Sequence, residues 1–157
     1  MARLKAPRLV RVAGSSGSGK TTLIEKLIPR LRSRGLRIGT VKHAHHGFEM
    51  DHPGKDSWRH TRAGARAVAV VSPRQAAWIF QTSQEIPLAR AVTLMKGRVD
   101  LILVEGFKKE LGRPAIWLEK GRRLTIGRGL CCVGVDPAEL LPKELKRIAD
   151  FAADPNR

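Results

Sequence analysis

Residues Gly14, Ser15, Ser16, Gly17, Ser18, Gly19, Lys20 and Thr21 fulfil the whole pattern G-x-x-x-x-G-K-[ST], and that pattern has meaning only on a turn between a strand and a helix. Both flanks comply. Residues 8–13 form a β-branched and aliphatic run that stops at Gly14, and residues 21–34 carry Leu23, Leu27 and Leu31 at helical spacing. Gly35 ends that helix in the usual way, while Pro29 inside it removes one backbone hydrogen bond and is expected to bend the axis. Residues 37–42 read as a second strand, and the connection from Gly14 is long enough for a right-handed parallel crossover. The chain is thereby committed to an α/β fold around a parallel sheet.

The remaining segments extend that architecture. Residues 43–56 are polar, contain Gly47, Pro53 and Gly54, and lack apolar periodicity, which marks a long loop of the kind that is often functional. A short helix is expected at 57–63. Strands at 67–72 and 76–80 lie so close together, across Pro73 and Arg74, that a hairpin follows. Leu88, Val92 and Met95 follow helical spacing, and residues 99–104 read as a fully buried strand that ends at Glu105 and Gly106. Further strands are expected at 115–118 and 130–135. The last helix opens with Asp136 as N-cap, Pro137 at the first helical position and Glu139 at the third, and its buried stripe is Leu141, Leu145, Ile148 and Ala152. The expected fold is a three-layer α/β/α P-loop NTPase-like domain with a largely parallel central sheet and a β-hairpin extension. At 157 residues, a single domain over 1–157 suffices.

Composition excludes several classes. No apolar run approaches the roughly 20 residues that a membrane-spanning helix needs. Residues 1–7 carry Arg3 and Lys5 but lack the apolar stretch of a secretory signal, so a cytoplasmic location and no membrane partner are expected. Cys131 and Cys132 are adjacent in a strand, where neighbouring side chains point to opposite faces and do not bridge, so no disulfide framework is implied. The formal charge of +16 attracts polyanions, whether nucleotides, nucleic acid or an acidic protein. No helix-turn-helix, zinc-finger or RNA-binding aromatic signature accompanies it, and Trp58, Trp78 and Trp117 do not interleave with a basic stretch, so sequence-specific nucleic-acid binding is not expected.

In the glycine loop, successive backbone N–H groups curl round an anion while the following helix dipole adds to the field. Gly14, Ser15, Ser16, Gly17, Ser18, Gly19, Lys20, Thr21 and Thr22 are the candidate triphosphate-binding residues, with Lys20 reaching the β and γ phosphates and the Thr21 hydroxyl ligating Mg²⁺. The metal also needs a carboxylate, and Asp100 and Glu105 flank one apolar run. At roughly 3.3 Å per residue they lie about 16 Å apart, and ligands of open parallel sheets bind beyond the carboxyl ends of the strands. That selects Glu105 for the metal and leaves Asp100 to close the strand entrance. In the long loop, Asp51 could orient the attacking water or a magnesium-bound water, and Lys55 could offset phosphate charge; the alternative is a turn in which Asp56 or Ser57 caps the next helix. His43, His45, His46 and His52 lack paired-cysteine spacing and read as a solvated or phosphate-facing loop, not as a transition-metal site.

Several uncommon segments in order carry a resemblance over almost the whole length. They are residues 14–22; Leu27, Ile28 and Pro29; Val41, Lys42, His43, Ala44, His45 and His46; residues 51–57 with Arg62, Ala63, Gly64 and Ala65 behind them; and residues 100–108. The chain resembles the molybdopterin-guanine dinucleotide biosynthesis protein B family. The resemblance implies a GTP-binding, weakly hydrolysing accessory factor with GTP and Mg²⁺ as cofactors. It further implies action beside the molybdenum cofactor guanylyltransferase that joins GMP to molybdopterin, and a homodimer whose sheet is shared between subunits.

The residues qualify that picture. Asn156 is the one asparagine, so the Asn-Lys-x-Asp element by which many GTPases read guanine is absent, and guanine preference comes with the resemblance alone. Asp136 is open to a base-contacting role or to its N-cap role. Ser15 and Ser16 stand where some related dimeric ATPases carry a second lysine, which leaves Lys42, Lys55 and Lys108 as candidates for an additional cation. An ATP-dependent small-molecule kinase is the main alternative, though no acceptor-binding lid is evident, and a basic nucleic-acid-binding protein is the next.

Overall fold

The computed structural model describes residues 6–44, 47–107, 115–119, 123–126, 130–132 and 142–154. In chain order these form β1 (Arg8–Gly14), α1 (Lys20–Arg32), β2 (Ile38–Lys42), α2 (Asp56–Arg62), β3 (Ala67–Val71), β4 (Ala76–Phe80), α3 (Leu88–Met95), β5 (Leu101–Glu105), β6 (Ala115–Glu119), β7 (Arg123–Ile126), β8 (Leu130–Cys132) and α4 (Pro142–Ala153). The chain divides into two compact units, Ala44–Pro87 and the remainder.

The larger unit is built on a sheet of order β2-β5-β1-β6-β7-β8. β2, β5, β1 and β6 run parallel, and β7 and β8 add an antiparallel margin. Alternation along β5 sorts the core into two faces, because successive side chains leave a strand on opposite sides. Leu101 and Leu103 pack with Leu23, Leu27 and Leu31 of α1 and with Leu145 and Ile148 of α4, while Ile102 and Val104 pack with Leu88 of α3 and with Phe107. Helices therefore cover both sides, and the three-layer α/β/α expectation with a largely parallel sheet holds. Each wholly buried leucine or isoleucine contributes roughly 1.5–3 kcal/mol relative to leaving it in water.

Local chemistry sets the ends of these elements. α1 keeps Pro29 in its last turn, beside Arg30 and Arg32, whose charges suit the negative end of the helix dipole. Gly35 donates to the Arg32 carbonyl just past that end. The expected strand at 130–135 is seen at Leu130–Cys132, and its further residues lie outside those described, as do the expected capping residues Asp136, Pro137 and Glu139. Leu145, Ile148 and Ala152 line the buried stripe of α4 as expected. β7 was not foreseen: its four residues, Arg-Leu-Thr-Ile, are too short to show a period. No helix among the described residues is long and apolar enough to cross a membrane.

In the smaller unit, β3 and β4 pair as the expected antiparallel hairpin, with Ala69 opposite Trp78 and Val71 opposite Ala76. The turn is closed by Ser72, whose N–H donates to the Gln75 carbonyl at 2.8 Å while its hydroxyl accepts from the Gln75 N–H at 3.1 Å. α2 begins one residue earlier than the sequence suggests.

Candidate functional site

The site in the larger unit begins where β1 runs out. Gly14 is buried in the last position of that strand, beside Leu118 of β6. Its φ is 149°, and a Cβ there would lie 2.1 Å from the Leu118 carbonyl oxygen and 2.7 Å from Ser18 Oγ. Only glycine lets the chain leave the sheet at this point, so the first glycine of the motif is dictated by the β1–β6 pairing as well as by any ligand.

Beyond it, Ser18 N–H donates to the Ser15 carbonyl at 3.3 Å, which tightens the loop into a turn. Gly19 takes the N-cap position of α1 in the left-handed conformation and offers no side-chain cap. The N–H groups of a helix's first turn have no acceptor within the helix, so those of Lys20, Thr21 and Thr22 remain oriented toward the loop, with the positive end of the dipole behind them. The Lys20 ammonium donates to the Ser15 carbonyl at 2.6 Å and so lies back across the loop. Ser18 Oγ is buried and has no hydrogen-bond partner among the described residues. A concave run of N–H donors, a lysine folded over it and an unsatisfied hydroxyl suit a phosphate chain. The Thr21 side chain is exposed, as a ligand to a metal beside that chain would be.

Glu105 closes β5, half-buried, with Val12 of β1 and Lys42 of β2 as its register partners. Alternation puts it on the face of Leu101 and Leu103, the α1 side of the sheet. The carboxylate thus sits at the carboxyl end of the strand next to the one that feeds the glycine loop. Lys42 stands on the same face beside it, an adjacency that the sequence alone could not establish. Lys108 lies outside the described residues.

Asp100 is at the other end of β5. Its carboxylate accepts from the Arg37 backbone N–H at 2.8 Å, from Nε at 3.1 Å and from Nη2 at 2.8 Å, and the guanidinium holds the carboxyl down at about 2. It therefore closes the strand entrance, as the geometry of the apolar run implied.

Past Glu105 the backbone enters the left-handed region at two successive residues, a conformation open to Gly106 and strained at Phe107. Gly106 has φ 93°, where a Cβ would come within 2.7 Å of His43 Cβ, and Phe107 has φ 47°. A left-handed conformation costs a non-glycine residue roughly 1–2 kcal/mol. Here it returns the phenyl ring to the core on the α3 side, where it is 6% exposed. The His43 ring stacks on it with centroids 4.3 Å apart and planes 17° from parallel. His43 is thus not a solvated loop residue but a packed one. The signal was present only as a histidine and a phenylalanine that each follow a strand, with nothing in the sequence to pair them.

In the smaller unit, Asp51 Oδ1 accepts from the His52 N–H at 2.9 Å and from the Ser57 hydroxyl at 3.0 Å, while Oδ2 is buried without a partner among the described residues. Neither Asp56 nor Ser57 caps α2: Lys55 occupies the N-cap in an extended conformation, with no side-chain bond. The Lys55 side chain is exposed. His45 and His46 lie outside the described residues, and among those described no group of three histidine, cysteine or acidic residues could hold a metal ion.

Comparison with known proteins gives a consistent result. Residues 9–122 match the family described as molybdopterin guanine dinucleotide synthesis protein B. The molybdopterin-guanine dinucleotide biosynthesis adapter protein of Escherichia coli K12 is 37% identical over 160 residues, which cover 93% of this chain and 91% of the relative. Its Haemophilus influenzae counterpart is 44% identical over 103 residues, covering 65% of this chain and 58% of that one. Among solved structures, a crystal structure of molybdopterin-guanine biosynthesis protein B superposes with a TM-score of 0.68 at 31% identity, covering 94% of this chain and 97% of the other. On these matches the chain belongs to the molybdopterin guanine dinucleotide synthesis protein B family and has its P-loop NTPase-like fold.

Proposed function

We propose that the chain is the adapter of molybdopterin guanine dinucleotide biosynthesis that binds GTP with Mg²⁺ and hydrolyses it slowly. The curated relatives bear the adapter name, and the observation that carries the nucleotide reading is the complete glycine motif on the β1–α1 turn, with the Glu105 carboxylate two strand positions from its first glycine. In this reading residues 14–22 cradle the triphosphate, Lys20 balances β and γ phosphate charge, and Thr21 and Glu105 hold the metal, which supplies electrostatic stabilisation of the transferring phosphoryl group. Asp51 orients the water and Lys55 adds a cation. With no second lysine at Ser15 or Ser16, slow turnover follows, since losing a transition-state cation costs phosphoryl transfer about 1,000-fold or more.

The partner reading extends the family role. The adapter works in the cytoplasm as a homodimer of single nucleotide-binding domains, beside the guanylyltransferase that attaches GMP to molybdopterin. The positive charge of +16 favours an acidic partner surface or the phosphate of the cofactor. Calorimetric titration with GTP and ATP, each with and without Mg²⁺, tests this against the Lys20→Ala variant. Tighter, Mg²⁺-dependent GTP binding that Lys20→Ala abolishes supports it. An ATP preference turns the reading into a small-molecule kinase, and no binding of either nucleotide removes it.

A further inference from the structure

Parallel pairing of β2 with β5 ends at Lys42 opposite Glu105, so the acidic residue occupies the last rung of its ladder. Strand ends fray, whereas a carboxylate working at a metal must be held within a fraction of an ångström. Three features beyond that rung do the holding. The His43 N–H donates to the Glu105 carbonyl at 2.9 Å, Gly106 brings its Cα against the His43 side chain, and Phe107 turns back so that its ring meets the His43 imidazole. The left-handed φ of 47° at a buried aromatic residue is the outlier that asks for an explanation.

We propose that His43 is a positioning residue. Its ring, stacked on Phe107, locks the carboxyl ends of β2 and β5 together and thereby fixes the Glu105 carboxylate for the divalent cation. This rests on the Mg²⁺-nucleotide reading above. If the pair served packing alone, its loss would lower stability and leave metal affinity untouched, which separates the two roles by measurement.

The test titrates Mg²⁺ into the full chain saturated with the fluorescent analogue mant-GTP, reading the Mg²⁺ half-saturation point. The affinity for mant-GTP in EDTA and the thermal midpoint are read in parallel. His43→Ala is expected to raise the Mg²⁺ half-saturation point roughly tenfold, the usual size for a residue that supports a metal ligand, with the EDTA affinity unchanged. His43→Phe restores a stacking ring and is expected to return the wild-type value. Phe107→Leu stays apolar, loses the stack and reproduces the His43→Ala shift, so the test survives if one variant folds poorly. In the Glu105→Gln background, His43→Ala should add no further shift. An unshifted half-saturation point in both His43→Ala and Phe107→Leu, or additive shifts with Glu105→Gln, overturns the positioning role and leaves the nucleotide reading standing. Failure of the wild-type chain to bind mant-GTP with or without Mg²⁺ removes both.

Discussion

The Asp100 carboxylate holds three donors of one residue, the backbone N–H, Nε and Nη2 of Arg37, and ties the entrance of β5 to the entrance of β2. The Arg37 carbonyl in turn accepts from the Asp100 N–H at 2.8 Å, and the Asp100 carbonyl accepts from Arg8 at the start of β1. Three parallel strands are thus aligned at one end, while His43, Gly106 and Phe107 act at the other.

Acid should release this staple. The Arg37 side chain, first by hydrogen bonding, holds the Asp100 carboxyl at about 2, below its ordinary 3.8. Its folded value is depressed, so the stability it contributes is complete above 3.8 and is lost as pH falls toward 2. Thermal midpoints measured from pH 5 to pH 2 should fall through this window. Asp100→Asn should have a lower midpoint at pH 7 and a flatter profile between pH 4 and pH 2, and identical profiles would show that the pair contributes nothing.

Much of this was legible beforehand, and the reasons differ by residue. The glycine motif, the hairpin and the buried run before Glu105 are local patterns, and placing Asp100 at the entrance of β5 and Glu105 at its carboxyl end needed only the direction and length of the strand. The ladder that sets Lys42 beside Glu105, and the stack of His43 on Phe107, join segments far apart in sequence and have no local signature. β7 and the Asp51–Ser57 bond were invisible for related reasons, the first being too short and the second depending on how a polar loop closes on itself.

Gly14→Ala should fail in both stability and binding. The added methyl would meet a main-chain carbonyl held in place by the β1–β6 ladder, at 2.1 Å, and main chain cannot swing aside as a side chain can. Overpacking of this kind costs about 1–3 kcal/mol, so urea unfolding should show a loss in that range, and GTP titration should show no binding. A variant of wild-type stability would mean that the loop leaves the sheet by another path.

The two oxygens of Asp51 allow its structural and chemical roles to be told apart. Asp51→Asn keeps an oxygen that can accept from His52 and Ser57, whereas Asp51→Ala removes it at a cost of about 1 kcal/mol. If the carboxylate orients water, phosphate release from bound GTP under single-turnover conditions should drop about a hundredfold in Asp51→Asn, with the thermal midpoint unchanged. Wild-type phosphate release by Asp51→Asn would reduce Asp51 to a residue that shapes the loop before α2.

The hairpin offers a contact for the proposed homodimer. Alternation and register put Ala67, Ala69, Val71, Ala76, Trp78 and Phe80 on one face of the β3–β4 ribbon, opposite the face that carries buried Val68. That face holds no polar side chain, yet Trp78 is 58%, Phe80 52% and Val71 72% exposed. A two-stranded ribbon is marginal by itself, and its unpaired strand edges are templates for further pairing. A second copy presenting the same ribbon about a two-fold axis would cover both the apolar face and an edge, since such a contact is self-complementary. Large aromatic anchors at the centre of an interface cost about 2–4 kcal/mol when truncated, a dimer weakened roughly 30-fold to 1,000-fold. Sedimentation velocity should therefore find wild-type chain dimeric and Trp78→Ser largely monomeric at micromolar concentration, with GTP affinity retained by the monomer because Trp78 is none of the residues proposed to hold the nucleotide. A Trp78→Ser chain that remains dimeric would place the contact elsewhere and leave the exposed ribbon for a different protein.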